Sequence, residues 1–166
     1  MTFGRAVSNV CKVDRDETKL GRFCWTKLGG AGKTTYVMTM YMPHNKENAD
    51  TRRQTVWNQH KTYYTREGMV DKEPCQALFE DVVEKLLSWK QEDCKIVLTG
   101  DFNEDVYRGK FSTRLAEKDL NMTEHILKTT GSEIPPTHDR GSKAICGVFP
   151  VSVSLRIRLT DTGFRC

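Results

Sequence analysis

No stretch of eighteen apolar residues occurs in this 166-residue chain, so no segment is built to cross a membrane as a helix. Its first sixteen residues hold no apolar run of seven, which excludes a recognisable secretory signal. The six cysteines, at positions 11, 24, 75, 94, 146 and 166, include no C-x₂₋₄-C pair, and no H-x₃₋₅-H follows them. Zinc-finger spacing is therefore absent. Reduced thiols in an intracellular compartment, nuclear or cytoplasmic, are the expectation. There is no run of five like charges, no internal repeat and no low-complexity tract, which argues against a polyelectrolyte tail or a solenoid.

What is present is the make-up of a polar globular chain, one domain in length or part of a larger one. Hydrophobic residues at 37% and a mean hydropathy of −0.59 leave a core, but a lean one. Lys and Arg number 26 against 22 Asp and Glu, a net charge of +4 that suits a polyanionic partner and equally an ordinary basic surface. The visible basic clusters are Arg52-Arg53 and the stretch from Arg140 to Lys143.

Hydrophobic periodicity organises the middle of the chain. The first eighteen residues are polar and unpatterned. Leu20 to Leu28 and Thr34 to Met42 read as strands, the second rich in β-branched and aromatic residues. Gly29 to Lys33 between them makes a hairpin turn. Gly32-Lys33-Thr34 imitates the end of a phosphate-binding P-loop, but Lys27 stands where the first glycine belongs, and a strand pattern follows where a helix is needed. Arg52 to Tyr64 is expected to be helical, with Val56, Trp57, His60 and Tyr64 on one side.

A second helix is expected from Glu73-Pro74 to about Gln91, with Leu78, Phe79, Val82, Val83, Leu86 and Leu87 at helical spacing. Lys95 to Thr99 is a short apolar strand of the kind buried on both faces. Two short helices are expected over Phe111–Leu120 and Met122–Thr129, then strands over Lys143–Phe149 and Val151–Leu159. This order makes a mixed α/β (α+β) domain.

Chemistry in open α/β sheets collects at the carboxyl ends of strands. Gly100-Asp101-Phe102-Asn103 sits just past such an end. There a carboxylate can orient or deprotonate water or help hold a divalent cation, and an amide can donate to a phosphate oxygen. Gly-Asp-x-Asn is also a good turn, with both side chains satisfying their own backbone. On composition alone both readings stand.

The wider context adds a resemblance. Val97 to Asp105 (VLTGDFNED) resembles the G-D-[FL]-N strand-end motif of the endonuclease/exonuclease/phosphatase superfamily. Tyr41-Met42-Pro43 looks like that family's Y-x-P segment. Pro136 to Phe149 is similar to the P-T-x-x-R-G-S-x-x-I-D-G-I-F stretch of its retroelement-type endonuclease branch. The resemblance implies a four-layer α/β sandwich of mixed, largely antiparallel sheets flanked by helices. It also implies a phosphodiester hydrolase that uses Mg²⁺, or Mn²⁺, on DNA or RNA.

Residue by residue, the resemblance makes Asp101 the group that orients the attacking water, and a metal ligand. Asn103 becomes the amide that grips the scissile phosphate, and Tyr41 a hydroxyl on that phosphate. His138 and Arg140 would line the substrate approach. A strand-end core aromatic is the plain alternative for Tyr41, and a solvated loop arginine for Arg140.

Three departures accompany the resemblance. The family's upstream Asn strand and Gln-Glu pair, whose Glu is the principal magnesium ligand, have no match in Met1 to Lys19. No Ser-Asp-His segment occurs, and Cys146 stands where the I-D-G-I-F aspartate belongs. A thiol is a poor acceptor for an imidazolium. The expectation is a partial domain over 20–159, an irregular lead-in over 1–19 and a tail over 160–166. Two alternatives accompany it, a catalytically inactive remnant and a small α/β nucleic-acid-binding module. Arg52, Arg53, Arg140 and Lys143 would then supply affinity for nucleic acid.

Overall fold

β-Branched and aromatic residues on either side of a glycine turn pair as a hairpin. Their ladder runs from Phe23↔Met40 to Gly30↔Lys33, closed by Gly32 at φ +72°. The computed structural model describes residues 9–30, 32–44, 55–117, 119–133, 135–137 and 143–151. In chain order its elements are β1 (Asn9–Arg15), β2 (Phe23–Gly30), β3 (Lys33–Tyr41), α1 (Val56–Arg66), α2 (Pro74–Lys90), β4 (Lys95–Asp101), α3 (Lys110–Ala116), α4 (His125–Thr130) and β5 (Cys146–Val151). The strands form one mixed sheet in the order β1-β2-β3-β4-β5. Only the β3/β4 pair is parallel, and α1 and α2 lie in its crossover. This is an α+β fold.

Both long helices start on side-chain caps. Thr55 Oγ1 accepts from the Asn58 N–H at 3.2 Å, and Glu73 accepts from the Gln76 N–H at 2.7 Å with Pro74 in the first turn. Leu78, Val82 and Leu86 of α2 are fully buried, each contributing about 2 kcal/mol relative to exposure. They meet one face of the sheet, made by Trp25, Tyr36, Met38, Met40, Ile96, Leu98 and Phe149. Trp25, Tyr36 and Trp89 form an aromatic cluster there, with Tyr36 stacked on Trp89 at 4.4 Å. The opposite face carries Thr26, Val37, Thr39, Val97, Thr99 and Val148, partly or fully exposed. No helix among the described residues is long and apolar enough to cross a membrane.

A buried ion cluster ties the sheet to both long helices. Arg22, 1% exposed, makes a two-pronged pair with Asp16, Nε to Oδ2 and Nη2 to Oδ1, both at 2.7 Å. Its Nη2 also reaches Asp81 of α2 at 2.7 Å, and its Nη1 donates to the Tyr64 hydroxyl of α1 at 2.8 Å. Burial works against the Asp16 carboxylate, but bonds from Arg22 and Thr18 outweigh it and hold its pKa below the usual range. His60 is buried beside this cluster, with an Nδ1 that no described group satisfies. Burial, then the Arg22 charge, lowers the His60 pKa, so the ring sits neutral.

The lead-in expected to be irregular is corrected by β1, an edge strand antiparallel to β2 with a bulge between Val10 and Lys12. Its side chains are exposed on both faces, so no apolar alternation marks it, and backbone pairing alone makes the strand. The hairpin and α2 form where periodicity placed them. α1 runs two residues past the expected Tyr64, and the expected start at Arg52 lies outside the described residues. The expected short helices shrink to Lys110–Ala116 and His125–Thr130, and the last described strand starts at Cys146 rather than Lys143. The expected strand over Val151–Leu159 lies beyond the described residues except for its first position.

Replacing Arg22 by Ala leaves the buried Asp16 carboxylate, and the partly exposed Asp81, without this counter-charge, and a loss of about 3–5 kcal/mol in denaturant unfolding is expected. His60 gives a separate, pH-dependent signature. The unfolded chain binds its proton near pH 6.5 while the folded chain resists it, so stability is complete above that pH and falls as pH drops below it. The limiting slope is about 1.4 kcal/mol per pH unit. His60→Gln should flatten that slope and leave the acid loss from Asp16, below about pH 3.8, in place. Thermal melts between these pH limits check both.

Candidate active site

The parallel register of β3 and β4 brings the separated motifs together. Tyr41 pairs with Asp101, and Asp101 pairs in turn with Cys146 of β5. Tyr41, Asp101 and Cys146 thus form a row across three strands on the sheet face opposite the helices, roughly 4.8 Å from strand to strand. The row is held from below by the Thr39 and Thr99 hydroxyls, 3.0 Å apart. Its backbone is tied by Tyr41 N–H to Arg22 O (2.9 Å), Met42 N–H to Asp101 O (2.8 Å) and Phe102 N–H to Ile145 O (2.8 Å). Tyr41 is 39% exposed, so its ring is not a core aromatic.

Gly100 permits this arrangement. Its φ is +156°, and a Cβ there would lie 2.1 Å from the Met40 carbonyl oxygen, so β4 approaches β3 more closely than any side chain allows. Asp101 then turns the chain, its Oδ1 accepting from the Asn103 N–H at 3.0 Å. Asn103 adopts φ +47°, and its Nδ2 donates to the Met42 carbonyl at 2.6 Å. One amide proton of Asn103 is therefore committed to the Y-x-P strand. The turn reading matches this geometry, and the Asx turn sets where the two side chains stand.

The residues after Asn103 brace the loop. Glu104 reaches the start of α3, where its Oε1 accepts from the Phe111 N–H at 2.6 Å, doing the capping that Gly109 cannot. A Cβ on Gly109 would strike that carboxylate at 2.4 Å. Burial raises the Glu104 pKa against these bonds. Asp105 Oδ1 accepts from Tyr107 and Arg108 N–H groups at 2.8 and 3.0 Å.

Thr137, inside the quoted Pro136–Phe149 stretch but given no role from sequence, borders the row. Its Oγ1 accepts from the Ile145 and Cys146 N–H groups at 2.9 and 3.1 Å. Cys146 has a pKa raised by burial and by the Asp101 charge, so its thiol stays protonated. Its contact with Asp101 needs strand pairing across 45 positions, and no local signal carried it. His138 and Arg140 lie outside the described residues, as do Arg52 and Arg53; Lys143 is exposed. Cys11, Cys24, Cys75, Cys94 and Cys146 are free thiols.

The donor set does not make a metal site. Asp101 is a lone carboxylate in the row, with one oxygen already in the turn, and Glu104 and Asp105 spend theirs on backbone amides. Among the described residues no three His, Cys, Asp or Glu side chains converge on a common point.

No protein-family model and no curated protein matches this sequence. Among solved structures, the chain is similar to the human Nocturnin catalytic domain with bound sulfate anion, at 13% identity and a TM-score of 0.48, over 87% of this chain and 46% of that one. It is similar to SmcL at 12% identity and a TM-score of 0.41, over 86% and 48%. A doubly substituted beta toxin from Staphylococcus aureus with bound magnesium ions follows at 17% and 0.36, over 77% and 41%. The chain spans about half the length of the structures it matches.

Two substitutions test the local geometry. Gly100→Ala should abolish cooperative unfolding, because the obstructing atom is backbone and cannot move aside. Asn103→Ala should lose roughly 2 kcal/mol, from the Met42 bond and the left-handed backbone together. Asn103→Gly should recover about half of that loss, since glycine adopts φ above zero freely. Urea unfolding of the three variants separates these contributions.

Proposed function

We propose that this chain carries the substrate-facing edge of a phosphodiester hydrolase domain of the endonuclease/exonuclease/phosphatase type, acting on nucleic acid, and does not complete the catalytic site with its described residues. The observation that carries this reading is the side-by-side placement of Tyr41 and Asp101 on parallel strands, with Asn103 pinned to Met42 beside them. Two motifs 60 positions apart in sequence, both singled out by resemblance, meet at one strand end. An unrelated turn gives no reason for that meeting.

In this reading the exposed Tyr41 hydroxyl donates to a phosphate oxygen. Asn103 offers its second amide proton to the same group. The free oxygen of Asp101 accepts a hydrogen bond from the water that attacks phosphorus, orienting it and drawing off its proton. Such hydrolysis also needs stabilisation of the charge that develops on the phosphate oxygens. The family's magnesium would supply it, but the described donors do not fit that ion, and they add no cation in its place. The domain is therefore a holder of phosphodiester and water whose rate enhancement depends on groups beyond these residues.

A second reading, a catalytically inactive remnant, is favoured by Cys146. A protonated thiol occupies the place beside Asp101 where the family has its orienting acid. One assay tests the inactivity that both readings expect. With Mg²⁺ present, supercoiled plasmid should be nicked by the chain no faster than by Asp101→Ala. Mg²⁺-dependent nicking at least about tenfold above that control, a gap of about 1.4 kcal/mol in barrier, would sink the remnant reading and the incompleteness of the site alike. In parallel, inorganic phosphate should shift the amide resonances of Met42, Asp101 and Asn103. Their failure to move at saturating phosphate would sink the proposal itself.

A further inference from the structure

A cleft of about 380 Å³ opens beside Asn103, between the end of β3, the first turn of α2 and the start of α3. It is lined by Met42, Pro43 and Asn103 past the ends of β3 and β4, by Gln76 and Phe79 of α2, and by the exposed Lys110. Cys75 Sγ donates to the Pro43 carbonyl at 3.2 Å, which fastens α2 to the Y-x-P segment and fixes the width of the cleft. The buried rings of Phe102 and Phe111 form an apolar floor. Phe79 meets Phe111 edge to face at 5.2 Å, so its partly buried ring is held from behind where it lines the cleft.

Charge decides what can enter. Glu73 and Glu104 both line this space, and each is committed to a helix start, Glu73 to the Gln76 amide and Glu104 to Phe111. Against these two carboxylates the described lining residues hold one cation, Lys110, and it is exposed. A phosphate is repelled from the interior. A flat, neutral heterocycle is not: it can lie on the Phe79 ring and turn its polar edge to the Gln76 and Asn103 amides.

Asn103 belongs both to this cleft and to the row with Asp101, so whatever is held by its amide has its neighbour at the cleft mouth. Resting on the reading above, we propose that the cleft receives the nucleobase adjoining the phosphate held at Tyr41 and Asn103, with Lys110 meeting the next phosphate along the strand. The substrate is then a nucleotide chain rather than a phosphorylated lipid or sugar, and one base is gripped by stacking rather than read by a full set of hydrogen bonds.

The test is amide chemical-shift mapping on the whole chain with three probes: thymidine 5′-monophosphate, 2-deoxyribose 5-phosphate and thymidine. The nucleotide should move Gln76, Phe79 and Lys110 together with Asp101 and Asn103. The sugar phosphate should move Met42, Asp101 and Asn103 but not Gln76, Phe79 or Lys110. Phe79→Leu, which keeps an apolar side chain against Phe111, should weaken the nucleotide by at least about fivefold and leave the sugar phosphate unchanged. Gln76→Ala, on the helix surface, gives the same comparison should Phe79→Leu fail to fold. Identical shifts and affinities for nucleotide and sugar phosphate would overturn the cleft proposal and leave the hydrolase-type reading intact. Thymidine moving the cleft residues while neither phosphate moves Asp101 or Asn103 would instead remove the reading on which the proposal rests, and the proposal with it.

Discussion

The buried guanidinium of Arg22 is the constraint on which the arrangement of this chain depends. Three charged or polar groups from three places converge on it: Asp16 before β2, Tyr64 of α1 and Asp81 of α2. A charge so deeply buried is tolerable only when its donors are matched, because the desolvation cost is several kcal/mol for an unpaired ion. The planar fork of arginine matches them with fixed angles, which a lysine cannot do. The Arg22 carbonyl also accepts the Tyr41 amide, so the cluster that orders the helices ends β3 beside β4 as well.

From that fixed edge the site follows by strand geometry. β3 and β4 run parallel, so their carboxyl ends coincide, and Tyr41 and Asp101 fall in register. The strands close up at Gly100 because nothing larger than hydrogen fits against the Met40 carbonyl. Beyond it the Asx turn of Asp101, the left-handed Asn103 and the long reach of Glu104 to α3 fold the loop back against the sheet. Each brace uses up a polar group of the loop itself. That explains why the loop is well built and its donor set is thin.

Local patterns made part of this legible. α2 declares itself by Pro74, Glu73 and the spacing of Leu78, Val82 and Leu86, because a helix buries one stripe of its own residues. The β2–β3 hairpin declares itself by Gly32 and the β-branched run after it, and the strand before Gly100 by its unbroken apolar character. β1 gave no such signal, since Val10 and Val13 face water and the strand exists only through pairing with β2. The candidate residues Asp101, Asn103 and Tyr41 were found by motif. Glu104 stood in the same motif without a role, because its role depends on where α3 begins.

By itself, then, the sequence determined the hairpin, the long amphipathic helix, the apolar strand and the acid-amide pair at its end, since each rests on interactions within a few residues. Tertiary structure alone decided that Tyr41 stands next to Asp101, that a thiol at Cys146 flanks that acid, that Arg22 is buried among two carboxylates, and that a cleft of about 380 Å³ is lined by Asn103. These depend on residues 45 to 61 positions apart in the strand row and on charges matched in three dimensions. No periodicity along the chain encodes such distances; closing the sheet and packing α2 across it does.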